Sequence, residues 1–103
     1  MRETMENYRL PFLEIIEERR EVRYLGYIMK LTAGEYRVLK AIFNARECLD
    51  VERIRRLVSA EARMSASSLP VHVTAINKKS VKMGGRKLIG FRKERGYFIR
   101  SDI

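Results

Sequence analysis

The sequence has 103 residues and an apolar fraction of 46%, which suits one compact domain with an ordinary core. Its formal net charge is +9, and all of this excess lies in residues 51–103, which hold thirteen basic and four acidic residues, whereas residues 1–50 hold nine of each. A chain this basic suits a polyanion. Because no membrane-length apolar run, signal peptide or lipidation pattern is present, we expect nucleic acid rather than a membrane, and a cytoplasmic location.

The first part of the chain predicts a segment that can fray, followed by a small antiparallel sheet. Residues 1–11 mix charges without periodicity, so we expect the folded domain to span residues 12–103. Gly26 and the charged run EERR separate three runs rich in β-branched and aromatic residues. These runs predict strands at residues 12–16, 21–25 and 27–31.

Two helices are predicted to follow the sheet. Thr32 precedes Glu35 by three residues, as in a capping box, and the apolar stripe of this first helix consists of Tyr36, Leu39, Ile42 and Phe43. Asp50 can cap a second, shorter helix, whose apolar stripe consists of Val51, Ile54, Leu57 and Val58. Residues 61–68 are mostly small and polar without periodicity, and predict a loop.

A third helix is predicted over residues 69–82, with Ser68 placed to cap it and a Gly-Gly pair to end it. Its core-facing stripe consists of Leu69, Val73, Ile76 and Ser80. Its opposite face carries Val71, Thr74, Ala75, Lys78 and Lys82. An ordinary core helix with solvated lysines is the alternative interpretation of this stretch alone.

A basic connector and a hairpin follow the third helix. Residues 88–91 and 96–99 predict two short strands, joined by the charged turn at residues 92–95. The basic hairpin beside the helix favours a binding surface over a merely solvated face.

Few residues could support catalysis or bind a metal. Cys48 is the only cysteine and His72 the only histidine, and neither stands in a cluster with ligand spacing. Gly84 and Gly85 lack the spacing of a nucleotide-binding loop. We therefore expect no enzyme activity, no metal and no cofactor.

Three motifs in the chain resemble those of the DNA-binding effector domain of OmpR/PhoB-type response regulators. The first is LTAGEYRVL at residues 31–39, which matches the opening of that family's first helix. The second is VHV at residues 71–73 with an isoleucine and basic residues behind it, which matches the family's recognition helix. The third is GYFI at residues 96–99, which matches the end of the family's wing. The resemblance covers about residues 12–100.

The resemblance implies an α+β fold, a winged helix-turn-helix with an N-terminal antiparallel sheet, three helices and a C-terminal β-hairpin wing. It implies a transcriptional regulator that binds double-stranded DNA with a sequence bias, its recognition helix in the major groove and its basic wing at the minor groove of the nucleoid's DNA. The predicted DNA-binding residues are Ser68, Val71, His72, Thr74, Ala75, Asn77, Lys78, Lys79, Lys82, Arg92, Lys93, Arg95 and Tyr97.

The chain also departs from that family. Arginines that often touch DNA in the family are replaced here by Ala75 and Asn77, and the turn at residues 92–95 is more charged than the family's Arg-Gly turn. Residues 1–11 are too few for a receiver domain, so we expect an orphan regulator that is not controlled by phosphorylation.

Other functions and partners stay open at this point. A winged helix can serve as a protein-interaction module, here contacting RNA polymerase or another regulator through residues 61–68. RNA binding is less favoured, because only Phe91 and Tyr97 stand among the basic residues as candidates for base stacking. The sequence also leaves open a homodimer on DNA.

Overall fold

A four-stranded antiparallel sheet forms the N-terminal part of the fold. The structure, a computed structural model, describes residues 7–10, 12–45, 48–59 and 68–100. Its first strands are β1 (Asn7–Leu10), β2 (Leu13–Ile16), β3 (Glu21–Tyr24) and β4 (Tyr27–Met29), adjacent in that order. The three predicted strands are confirmed. The sheet nevertheless begins within the segment expected to fray, because NYRL pairs along its whole length with β2.

One face of this sheet supplies part of the core. The alternation of side chains along β2 and β3 buries every second residue, as expected for a sheet with one covered face. The buried residues of the sheet are Leu13, Ile15, Val22, Tyr24 and Met29.

The three helices are α1 (Ala33–Ala45), α2 (Val51–Ser59) and α3 (Ser68–Lys82), and their buried residues share one core with those of the sheet. The predicted capping box of α1 is confirmed, because the Glu35 backbone N–H donates to Thr32 Oγ1 at 3.2 Å and the Thr32 N–H donates to Glu35 Oε1 at 3.1 Å. Asp50 caps α2 as predicted, since its Oδ1 accepts from the Arg53 N–H at 2.8 Å. These bonds satisfy donors that a helix leaves unpaired in its first turn.

The predicted inner stripe of α3 is confirmed, since Leu69, Val73, Ile76 and Ser80 are all buried. Ser68, predicted as the cap, is instead the first helical residue, so the helix begins one residue earlier than expected. At the other end, the Gly85 N–H donates to the Ser80 carbonyl and the Gly84 N–H to the Val81 carbonyl. This Schellman arrangement requires a positive φ at Gly84, where φ is 96°, and glycine adopts it without strain.

Buried polar groups bind the connector after α3, residues 83–88, to the helix and to the sheet. Ser80 Oγ donates to the Arg86 carbonyl at 2.7 Å and accepts from the Leu88 N–H at 3.2 Å. The Arg86 N–H in turn donates to the Tyr24 hydroxyl at 3.3 Å. The connector therefore has little freedom relative to α3, and the hairpin that follows it starts from a fixed point.

The C-terminal hairpin consists of β5 (Ile89–Arg92) and β6 (Gly96–Ile99), and we refer to it as the wing. Its first strand begins one residue later than predicted. Near its turn, the wing also pairs with the linker between α1 and α2, because the Leu49 N–H donates to the Tyr97 carbonyl at 2.8 Å and the Tyr97 N–H to the Leu49 carbonyl at 3.0 Å. Gly96, with φ at 111°, lies against the Leu49 carbonyl, where a β-carbon would not fit.

One residue of the predicted apolar stripes lies outside the core. Ile54 and Val58 of α2 are buried, but Leu57 is 54% exposed, because it lies about 100° around the helix from Val58. Most of the predicted loop at residues 61–68 falls outside the described residues. Within the described part of the chain, no helix is long and apolar enough to cross a membrane.

Candidate nucleic-acid interface

The outer side of α3 is accessible and combines methyl groups with positive charge. We call the set of Val71, Thr74, Ala75, Lys78 and Lys82 the open face of α3. Val71 is 66% exposed, the threonine and both lysines are exposed, and Ala75 is half-buried. Shallow depressions along this face are also lined by Pro70, Val81 and Lys87. The open face can therefore offer ammonium groups to phosphates and methyl groups to base edges.

His72, although predicted as a DNA contact, packs against α1. A β-carbon placed on Gly34 would lie 2.8 Å from the His72 ring, so the imidazole occupies the space beside the first turn of α1. The ring is half-buried there, and His72 is rotated by about 100° around the helix from Val71 of the open face. His72 thus fills the contact between α1 and α3.

Lys79 also points away from the open face. Its Nζ donates to Glu35 Oε1 at 2.6 Å, and Glu35 is a buried acid that remains only 6% exposed. Burial raises the pKa of Glu35, but hydrogen bonds from Lys79 and the Thr32 backbone, with the charges of Lys79 and His72, lower it below its ordinary value of 4.5. Lys79 therefore compensates a buried carboxylate and joins α3 to α1.

Asn77, expected at the flank of the DNA contact, lines the same depression as Lys78 and Lys82 and also holds the wing. Its Nδ2 donates to the Ile89 carbonyl at 3.0 Å, and its Oδ1 accepts from the Ile89 N–H at 2.8 Å. This amide thus acts as a strand partner for the first residue of β5. We call His72, Asn77 and Lys79 the anchored side of α3, because they flank its buried stripe on both edges and their polar atoms are directed to other parts of the fold.

The wing carries positive charge at its tip, and side chains of its two strands contact each other through their rings. The Arg92 guanidinium lies 4.9 Å above the centre of the Phe98 ring, and Phe91, 59% exposed, lies with its ring centre 5.0 Å from that of Tyr97. In the turn, the Arg95 N–H donates to the Arg92 carbonyl at 3.0 Å, and Glu94 takes a positive φ of 71°. Lys93, Glu94 and Arg95 are all exposed.

The structure therefore separates the predicted site residues into two groups. The accessible group lies on the open face and at the wing tip and consists of Val71, Thr74, Lys78, Lys82, Lys93 and Arg95, with the half-buried Ala75. Arg92 and Tyr97 are engaged in ring contacts, and Ser68 is half-buried in the first turn of α3. Sequence reasoning did not select Lys87, which shares a depression with Lys78 and Lys82, although its place in the basic connector was the available signal.

Residues 68–100 carry almost only positive charge. Residues 68–100 contain nine lysines and arginines and a single acid, Glu94. Since Lys79 is paired with Glu35 of α1, the uncompensated positive charge concentrates on the open face, the connector and the wing. Such a surface attracts a polyanion and speeds its association.

Comparisons with known proteins identify structures with a similar fold. No protein-family model and no curated protein sequence matches the chain. Among solved structures, the DNA-binding domain of Klebsiella pneumoniae RstA, in complex with the RstA box, superimposes with a TM-score of 0.75 at 16% identity, covering 94% of this chain and 99% of that one. The DNA-binding domain of the response regulator AdeR, in complex with an intercistronic region, has a TM-score of 0.73 at 16% identity, covering 92% and 97%.

A third structure belongs to a family of redox sensors in the streptococci that evolved from two-component response regulators. It has a TM-score of 0.75 at 21% identity and covers 97% of this chain but 43% of its own, so this chain spans less than half the length of that sensor. The structural neighbours are OmpR/PhoB-type response-regulator domains, and at these identities the likeness is one of fold. The chain thus has the α+β winged-helix fold that the sequence predicts, the fold of the DNA-binding domains of OmpR/PhoB-type response regulators.

Proposed function

We propose that this chain binds double-stranded DNA with a sequence bias and thereby regulates transcription. The observation that carries the proposal is the open face of α3, an accessible helix face with two exposed lysines beside a basic connector and wing. The RstA and AdeR domains, which share this fold, are themselves in complex with DNA. The proposal implies a cytoplasmic, nucleoid-associated location.

In the proposed complex, α3 enters the major groove with its open face toward the base edges. Lys78, Lys82 and Lys87 are positioned to neutralise phosphates at the sides of the groove, which sets the register of the helix on the duplex. Val71, Thr74 and Ala75 present methyl groups, which suit the methyl groups of thymine rather than the polar edges of guanine.

The wing supplies the second contact in this proposal. Lys93 and Arg95 lie at the tip of a hairpin that Asn77 holds at Ile89 and Leu49 holds at Tyr97. A basic tip of this kind suits a narrow minor groove, where A·T tracts concentrate negative potential. The anchored side of α3 contributes indirectly, since Asn77 fixes the geometry between helix and wing.

A salt titration tests this function. With roughly 4 to 7 phosphates neutralised per monomer, log affinity for duplex DNA should fall against log salt with a slope of about −0.9 per contact. A slope shallower than about −2 would contradict the proposed surface. Single-stranded DNA and RNA of the same sequence serve as controls in the same titration. Tighter binding to the RNA would favour the RNA-binding alternative, and tighter binding to single-stranded DNA would contradict duplex binding. A footprint of two adjacent half-sites would support a homodimer on DNA.

The alternative function, a module that contacts RNA polymerase or another regulator through residues 61–68, stays a prediction. Of that segment only Ser68 lies within the described residues. A variant that no longer binds duplex DNA but still changes transcription would favour this alternative function.

A further inference from the structure

A second basic surface lies between α1 and α2. It is a groove of about 520 Å³, a size typical of sites that accept a small ligand or several side chains. We call it the α1–α2 groove. Its lining consists of Arg37, Lys40, Ala41, Asn44, Ala45, Leu49, Arg53, Arg56, Leu57 and Val58.

The floor of the α1–α2 groove is apolar, and its accessible residues are Leu57 and the half-buried Ala45. Ala41 and Ala45 of α1 lie across it from Leu57 and Val58 of α2, with Leu49 from the linker between the two helices. Leu57 remains 54% exposed although its sequence position belongs to the apolar stripe of α2. A large apolar side chain left accessible beside a concavity indicates a place where another apolar group can bind.

The rim of the same groove is cationic. Arg37 and Lys40 come from α1 and Arg53 and Arg56 from α2, and no acidic residue is among the described residues that line the groove. Glu17 reaches Lys40 from outside the groove, and Glu52 is paired with Arg55, whose Nη1 donates to both of its carboxylate oxygens at 3.1 and 3.3 Å. The exposed Arg53 and Arg56 therefore dominate the charge of the α2 side.

The groove is distinct from the surface proposed for DNA. None of its lining residues belongs to α3, the connector or the wing. Its apolar part also contributes little to binding a duplex, because a protein contacts a DNA backbone mainly through hydrogen bonds and ion pairs to its phosphates. A ligand that combines carboxylates with apolar side chains matches both parts of the groove.

We propose that the α1–α2 groove docks an acidic segment of a partner protein. Apolar side chains of that segment cover Ala45 and Leu57, while its carboxylates meet Arg53 and Arg56 at the rim. Both rim cations of α2 are arginines, whose planar guanidinium groups can bind a carboxylate through two parallel hydrogen bonds. The segment can dock while α3 and the wing hold DNA, so this surface would connect bound DNA to a second protein.

A selection experiment tests the proposal without a known partner. A displayed library of random 16-residue peptides is selected on the full chain, and the enriched peptides are synthesised and titrated by fluorescence anisotropy. The groove variant is Arg53→Glu with Arg56→Glu. Its matched control is Lys78→Glu with Lys87→Glu, which makes the same change in charge on the surface proposed for DNA. Circular dichroism and thermal unfolding establish that both variants fold.

The expected peptides are rich in Asp and Glu interspersed with Leu or Phe. Their affinity should fall by about tenfold or more in the groove variant and change little in the control, because the lost contacts are charge-assisted and local. Leu57→Ser should also weaken binding, and NMR methyl shifts should concentrate on Ala41, Ala45 and Leu57. Duplex DNA should show the reverse pattern, weakening in the control and not in the groove variant.

Four results would overturn the proposal. Peptides without acidic enrichment would exclude the electrostatic match. Equal loss of peptide binding in both charge-reversed variants, or unchanged binding in Leu57→Ser, would show a general attraction to a basic chain. Equal loss of duplex binding in both variants would make the groove part of the DNA surface. Failure of DNA binding by the parent chain would instead contradict the proposed function alone.

Discussion

Lys78 and Lys79 are consecutive residues on α3, yet they lie in different environments. Lys78 is exposed on the open face, whereas Lys79 donates to the buried carboxylate of Glu35. The same division separates Thr74 from Asn77, whose amide pairs with the backbone of β5. One side of the helix is available to a partner, and the other sets the position of the helix within the fold.

This division follows from helix geometry. Successive residues are rotated by about 100°, so a run of basic residues is spread around the helix rather than collected on one face. A cluster of lysines in a sequence is therefore not one functional unit. Substitutions on the anchored side should change stability, and substitutions on the open face should change DNA binding.

The largest effect is expected at Asn77. Asn77→Ala leaves the Ile89 N–H and carbonyl without partners, and because Ile89 is buried, the free energy of unfolding should fall by about 2–4 kcal/mol. Asn77→Asp should also destabilise the chain, since a carboxylate still accepts from the Ile89 N–H but places its second oxygen against the Ile89 carbonyl. Urea unfolding measures both, with Thr74→Ala as the matched control on the open face. Equal stability of the Asn77 and Thr74 variants would contradict the division.

Lys79 and Lys78 give the next largest contrast. Lys79→Met unpairs the buried Glu35, and because the lysine side chain is 37% exposed, the cost should be only about 1–2 kcal/mol. Lys78→Met should change stability by no more than about 0.5 kcal/mol while weakening duplex binding. Comparing chemical denaturation with a DNA titration for both variants tests the contrast.

The pH dependence of stability should identify the same ion pair. The pKa of Glu35 is lower in the folded chain than its ordinary value of 4.5, so its contribution is complete above that value and is lost as pH falls through the lower, folded pKa. Glu35→Gln should flatten this acid limb, whereas a substitution at an exposed acid such as Glu94 should not. Denaturation midpoints measured from neutral pH downward provide the comparison.

Local sequence signals specified much of the scaffold. The capping box of Thr32 and Glu35, the Asp50 cap and the inner stripe of α3 each depend on residues a few positions apart, and each is present in the structure. Strand β1 was not predicted, because NYRL carries little periodicity of its own and is paired by β2. Leu57 fits the periodicity of α2, but the core reaches only the neighbouring side of that helix.

The candidate site was harder to predict than the scaffold. The roles of His72, Asn77 and Lys79 depend on Gly34, Ile89 and Glu35, and two of these partners lie far away in the chain. A sequence records that Asn77 is polar, but it does not record which backbone groups will need an amide after folding. The open face could be predicted, since its exposure follows from the inner stripe on the opposite side of the same helix.

The wing tip offers a smaller effect with an internal control. Lys93→Ala should weaken duplex binding and make the salt slope shallower by about one unit, the loss of one phosphate contact, without changing the thermal midpoint. Glu94→Gln should act in the opposite direction, because it removes the single acid among residues 68–100. If both variants bind duplex DNA like the parent, the wing is not a DNA contact.

The smallest effect concerns the methyl groups of the open face. Val71, Thr74 and Ala75 lack the bidentate donors that read guanine or adenine, so the proposed complex should favour A·T-rich sites through contacts with thymine methyls. Replacing thymine by uracil in a bound site removes those methyls and leaves base pairing unchanged. Each fully buried methyl contributes about 0.8 kcal/mol, or about fourfold in affinity, and a partly covered one less.

The loss of affinity on replacing thymine by uracil should shrink in Val71→Ala, whereas Lys82→Ala should leave it unchanged because an ammonium group contacts phosphate in either duplex. Equal affinity for the two duplexes, or a footprint dominated by G·C pairs, would show that α3 does not read thymine methyls, while the phosphate contacts of Lys78 and Lys82 would still be testable by salt.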